Sequence, residues 1–160
     1  MIITYLGDDK YKIKTRDANI TLTTEGVDID GFKITDPGEY ERKNIFVEVP
    51  FEQAVFKILA EDMTILYPGK SNKISDNQIE QLDGVDILFL PCGEQGSMNL
   101  KNALDLSAIL EPSIIIPMFF QSVELLKKEG LEGVAVKNAK IVKTSLPQEE
   151  SEVMILEKNS

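Results

Sequence analysis

The spacing of apolar positions divides the chain into two halves with different periods. Up to about Tyr67 the apolar residues come in short runs: Ile2-Leu6, Tyr11-Thr15, Ile20-Thr23, Phe32-Ile34, Ile45-Val49, Val55-Leu59 and Thr64-Tyr67. β-Branched and aromatic residues crowd these runs. Gly7, Gly26, Gly31, Pro37-Gly38 and Glu61-Asp62 separate them, as expected of strands joined by tight turns. Tyr11, Ile13 and Thr15 alternate with Lys12, Lys14 and Arg16, so that strand has one face on a core and one in water. This half reads as mostly antiparallel sheet.

After Pro68-Gly69 the period lengthens. Ser75-Asp76-Asn77-Gln78 has capping-box spacing, in which serine and glutamine satisfy orphan helix amides reciprocally. Ile74 and Ile79 flank it as a hydrophobic staple, Ile79 and Leu82 continue a buried stripe, and Gly84 ends the helix. Asp86-Leu90 follows as a strand apolar on both faces. Asn99 caps a second predicted helix with Leu100, Ala103, Leu104 and Ala108 on one stripe, ending before Pro112. Ser113-Ile116 is another buried strand. A third helix is predicted over Ser122-Glu129, with Lys127 and Lys128 at the negative end of its dipole and Gly130 at its close. Strand-helix-strand order implies parallel pairing through right-handed crossovers. Lys140-Thr144 and Glu152-Leu156 return to strand around a polar turn at Leu146-Glu150. With no internal repeat or linker, residues 1–160 form one expected domain of α/β (α+β) class.

Composition narrows the function. The 42% hydrophobic content suits a full core, and one cysteine forms no internal disulfide. No run approaches the roughly 20 apolar residues of a membrane-spanning helix, and the start of the chain does not resemble a signal peptide. A cytoplasmic location is therefore expected. The 17 basic against 27 acidic residues give a net charge of -10, which repels nucleic acid and anionic membrane surfaces, so neither is an expected partner. The chain has no histidine, the commonest metal ligand and general base near neutral pH.

Several strings resemble the metallo-β-lactamase superfamily, in particular its lactonase-like and metal-dependent hydrolase branch. The opening Met1-Ile2-Ile3-Thr4-Tyr5-Leu6-Gly7 is similar to that family's first strand, with Asp8 where a histidine usually stands. Asp36-Pro37-Gly38-Glu39-Tyr40-Glu41 resembles a recurrent turn. Asp83-Pro91 and Glu111-Met118 resemble the strand after the metal site and the strand that delivers the last ligand. The resemblance implies an αββα sandwich, here truncated in its first half, because the stretch between Thr24 and Phe32 leaves no room for the His-x-His-x-Asp-His segment. It also places Gln53, Tyr67, Lys70 and Phe119 at former metal-ligand positions. A protonated Lys70 about 4 Å from a divalent cation would be repelled on the order of 8 kcal/mol at an effective dielectric near 20. The family's dinuclear site is thus expected to be lost, with no metal or other cofactor, no catalytic residue, and a partly apolar pocket or plug in its place.

Asp8, Cys92 and Gly93 are expected beside that pocket. Cys92 lies just past a parallel strand, where α/β proteins place ligands, yet it lacks an evident base and reads as a buried structural thiol. Gly93-Glu94-Gln95-Gly96 reads as an ordinary loop, Asp28-Ile29-Asp30-Gly31 as a turn, and Asp8-Asp9 as a solvated turn whose side chains point apart. The resulting expectation is a non-catalytic binding, scaffold or oligomerisation module. A hydrolase using non-histidine chemistry and a small-ligand sensor are the alternatives. Phe51, Phe119 and Phe120, uncovered by loss of a cleft, point to a homo-oligomer.

Overall fold

A computed structural model describes residues 1–51, 55–69, 71, 74–94 and 98–158. The first half begins as a meander: β1 (Ile2–Gly7), β2 (Lys10–Lys14), β3 (Asn19–Thr23), β4 (Gly26–Ile29) and β5 (Phe32–Ile34). It continues through β6 (Gly38–Arg42), β7 (Ile45–Val49), β8 (Phe56–Ala60) and β9 (Met63–Tyr67). The second half contributes α1 (Asp76–Ile79), β10 (Ile87–Pro91), α2 (Leu100–Leu110), β11 (Ile114–Met118) and α3 (Val123–Lys128). It closes with β12 (Val134–Val136), β13 (Asn138–Lys140) and β14 (Glu152–Leu156).

Two sheets face each other. One runs β13-β1-β2-β3-β4-β5 and the other β12-β14-β11-β10-β9-β8-β7-β6. Within the second sheet β9, β10, β11 and β14 are parallel, as the strand-helix-strand order requires. Alternating residues of both sheets fill the core between them, among them Ile3, Tyr11, Ile13, Phe56, Tyr67 and Phe89. A second core lies under the helices on the outer face of the second sheet, where Leu88, Leu90 and Ile115 meet Leu82, Ala103, Leu106 and Leu126. β10 and β11 are buried at every position because one face belongs to each core. Among the described residues no helix covers the outer face of the first sheet, which presents Lys12, Lys14 and Lys33 to water. The described helices thus form a layer on one side of the sandwich.

Three strands escape the sequence pattern. Gly26 opens β4 rather than a turn, and Val27 and Ile29 alternate inward while pairing with both β3 and β5. β6 exposes four of its five residues and β12 lies at a sheet edge, so neither carries an apolar run long enough to be seen. The strand expected at Lys140-Thr144 is corrected: pairing with β1 ends at Ile2↔Lys140, and residues Lys143–Ser145 form a 3-10 turn that returns Leu146 to the core. The Ser75 capping box forms as expected, yet the helix it starts passes into a 3-10 turn at Glu80–Leu82. In α2 the buried residues are Ala103 and Leu106; Ala108, expected on the apolar stripe, is exposed. Phe119 is buried and Phe51 and Phe120 half-buried, so these rings are not the uncovered patch anticipated from the sequence. The large exposed apolar side chains include Phe46, Leu59 and Ile109.

Candidate functional site

The parallel strands end together, and three of the residues singled out in the sequence lie at that edge. Tyr67 is the last residue of β9, Cys92 follows β10, and Phe119 follows β11. Ligands in open α/β sheets bind outside such carboxyl ends. Backbone hydrogen bonds tie the ends to one another: Cys92 N–H donates to Met118 O at 2.9 Å and Glu94 N–H donates to Phe119 O at 2.9 Å. The turn between β1 and β2 comes over from the first sheet, where the Tyr67 hydroxyl donates to Asp9 O at 3.3 Å and the Tyr5 hydroxyl to Asp8 O at 2.9 Å.

Aromatic side chains fill the space between these groups. Tyr67 and Phe56 are wholly buried, with ring centroids 6.4 Å apart. Phe89 meets Tyr67 edge-on at 5.6 Å and Tyr11 edge-on at 5.1 Å, and Tyr11 stacks on Tyr5 at 4.8 Å. The result is a continuous column from Tyr5 to Phe56 that crosses from one sheet to the other. Edge-on and offset ring pairs contribute about 0.5–1.5 kcal/mol each beyond their burial. Burial raises the Tyr67 phenol above its ordinary range, with the Asp9 carboxylate adding to the effect. Burial likewise raises Tyr11, followed by the influence of Tyr5, Tyr67 and Cys92. Tyr11 therefore joins the candidate residues of both strand ends. The sequence marked it only as an inward position of β2, because nothing local reveals its distant ring partners.

Cys92 is a buried thiol. Its Sγ donates to Leu90 O at 3.2 Å, and burial pushes the group up to about 12, with the Met118 contact opposing only in part. A nucleophilic cysteine needs the opposite shift. Gly93 is exposed with φ of +101°, a conformation suited to glycine, and the next amide is already committed to Phe119 O. Gln95 and Gly96, the rest of that loop, lie outside the described residues. Asp8 is exposed with φ of 53°, and the Asp9 carboxylate accepts the Thr24 amide at 2.9 Å and hydroxyl at 2.7 Å. Gln53 and Lys70, named from the sequence as former ligand positions, lie outside the described residues.

Two features were not legible in the sequence. Phe119 has φ of 53° although its side chain is bulky and 8% exposed. A non-glycine residue in the left-handed region costs roughly 1–2 kcal/mol, and such conformations cluster at functional sites. The second is Ser71, whose buried Oγ has no hydrogen-bond partner among the described residues.

A divalent metal requires several converging oxygen, nitrogen or thiolate donors. Among the described residues no group of three or more His, Cys, Asp or Glu side chains could hold one. The donors at the edge include a protonated thiol, the exposed carboxylates of Asp8 and Glu94, and an Asp9 carboxylate bound to Thr24. Ring carbon from Tyr67 and Phe119 stands at two of the ligand positions inferred from the resemblance. The described residues do not fit the family's metal pair.

Comparison with known proteins places this geometry. Residues 2–119 match the family model for the beta-lactamase superfamily domain. A metal-dependent hydrolase of Enterococcus faecalis is 31% identical over 70 residues, a stretch covering 43% of this chain and 31% of that relative. The chain thus matches only about a third of that relative's length. Among solved structures, a Thermotoga maritima protein ascribed to the Zn-dependent hydrolases of the metallo-beta-lactamase superfamily superposes with a TM-score of 0.81 at 18% identity, over 98% of both chains. A metallo hydrolase of the archaeon Ignicoccus hospitalis superposes with a TM-score of 0.66 at 12% identity, over 99% of this chain and 96% of that one. The structural matches carry the fold and the family model carries membership: the chain belongs to the beta-lactamase superfamily and has its metallo-β-lactamase-like fold.

Proposed function

We propose that this chain is a non-catalytic member of its superfamily, kept as a binding, scaffold or oligomerisation module. The observation that carries the reading is the aromatic column at the strand ends, with Tyr67 wholly buried and its hydroxyl bonded to Asp9 O where the resemblance implies a metal ligand. The absence of histidine from all 160 residues and the protonated Cys92 support it. The names of the relatives favour hydrolysis, and the competing reading is a hydrolase in which Lys70, Cys92 or a carboxylate acts in place of histidine. Turnover separates the two. Phosphodiesters, lactones and thioesters, offered with and without Zn²⁺ or Mn²⁺, are expected to remain unhydrolysed by the wild type and by Lys70→Ala. A reproducible activity lost in Lys70→Ala would replace the first reading with the second.

Ser71 favours a third role, as a small-ligand sensor at the same edge. Its buried Oγ has no partner among the described residues; a buried hydroxyl left so costs about 1–3 kcal/mol, and a ligand acceptor or donor would recover part of that. A ligand that raises the melting temperature of wild type but not of Ser71→Ala would identify this role. Homo-oligomerisation and a cytoplasmic setting without nucleic-acid or membrane partners remain part of the proposal. The net charge of -10 supports the exclusion of nucleic acid.

A further inference from the structure

The helical face carries a groove lined from the second core, whereas the aromatic column belongs to the first. Two adjoining cavities of about 340 and 360 Å³ share Asp76, Ile79 and Ile109 as lining residues and form one groove between α1, with its 3-10 extension, and α2. Its floor is apolar: Ile74, Met98 and Leu106 are buried, Ile79 is half-buried, and Ile109 is 57% exposed. Its rim is acidic, with Asp76, Glu80, Asp83 and Asp105 all exposed. The described lining residues include no lysine or arginine, and the four carboxylates form no ion pair among the described residues.

We propose that this groove docks a cationic amphipathic helix of a partner protein. The helix would insert apolar residues between Ile79 and Ile109 and present Lys or Arg to the acidic rim. An amphipathic helix reads such a groove through anchors at i, i+3, i+4 and i+7. The eleven residues of α2 give a wall about 16 Å long, enough for about three turns of a partner helix. Charge selects the occupant. An anionic lipid surface or nucleic acid meets like charge at the rim, and a second copy of this chain brings a net charge of -10 to it. Carboxylates without an ion pair among the described residues, set around an apolar floor, raise the on-rate and the specificity for a basic partner. The inference goes beyond the role proposed above and stands whether or not the strand-end site turns over a substrate.

The test uses the whole chain and a synthetic helical peptide of about 14 residues, with leucines at the four anchor spacings and lysines elsewhere. Its twin carries glutamate in place of lysine. Fluorescence anisotropy at low salt should show binding of the basic peptide and not of the acidic one. Ile109→Ser and Asp105→Asn should each weaken binding by about three- to tenfold, because both change exposed groove residues without opening a core. Glu25→Gln, which removes the same charge from the first sheet, should change it by less than about twofold. Comparable losses in Asp105→Asn and Glu25→Gln would reduce the effect to overall charge and overturn the proposal. Unchanged affinity in Ile109→Ser, or equal binding of the acidic peptide, would overturn it as well. So would a wild-type dimer that Ile109→Ser dissociates in sedimentation, since a second copy would then be the occupant.

Discussion

Phe119 offers a test in which the structure reverses the ordinary order of two substitutions. At most positions alanine is more stable than glycine by roughly 0.5–1 kcal/mol, because glycine loses more backbone freedom on folding. Phe119 has φ of 53°, and hydrogen bonds on both sides of it, from Cys92 to Met118 O and from Glu94 to Phe119 O, hold that backbone in place. An L side chain in the left-handed region costs about 1–2 kcal/mol, which glycine avoids. Subtracting one effect from the other leaves Phe119→Gly more stable than Phe119→Ala by about 1 kcal/mol. Both variants lose the buried ring, at about 3–5 kcal/mol relative to wild type. Urea unfolding measures the difference directly, provided the slope is unchanged, and in a chain of this size about 1 kcal/mol corresponds to a melting shift of about 2–4 °C. Ala108→Gly in the exposed face of α2 is the internal control and should lose about 1 kcal/mol. If Phe119→Ala proves as stable as Phe119→Gly, the backbone at this strand end is not held in the left-handed region.

The remaining predictions concern the same edge. Stability should fall as pH rises from about 9 towards 12: burial pushes Cys92 from 9.0 up to about 12 and also raises Tyr67 and Tyr11, so the unfolded chain releases these protons first. Each such group contributes a slope of about 1.4 kcal/mol per pH unit, with no contribution below the unfolded value; a flat alkaline profile in chemical denaturation would contradict it. A thiol reagent at neutral pH should label Cys92 only after denaturant is added, and rapid labelling of the folded protein would contradict its burial. Protein purified without chelator should carry zinc, manganese and iron well below one ion per chain, and a stoichiometric metal by elemental analysis would show that the aromatic column does not occupy the family's site. Asp9→Ala should cost about 1–3 kcal/mol in unfolding experiments by releasing the Thr24 amide and hydroxyl; no measurable loss would mean that this turn is not braced by them.

What the sequence determined by itself was local and periodic. The alternation of Tyr11 and Ile13 with lysines located β2 and its buried face, the Ser75 box located the start of α1, and the unbroken apolar runs at 87–90 and 114–116 identified strands covered on both sides. These signals depend on neighbours within a few residues, so they survive without knowledge of the fold. The resemblance of the strand-end strings then brought Tyr67, Cys92 and Phe119 to one edge, where the parallel strands do end together. Short strands with polar or glycine-rich composition, such as β4 and β6, were hidden because their pairing partners define them. Only tertiary structure decided what fills that edge. Tyr5, Tyr11, Phe56, Tyr67 and Phe89 come from five strands of two sheets, and their contacts follow from how the sheets face each other. The left-handed backbone of Phe119 and the acidic groove beside Ile109 have the same origin: each is set by groups far apart in the chain whose distances no local pattern encodes.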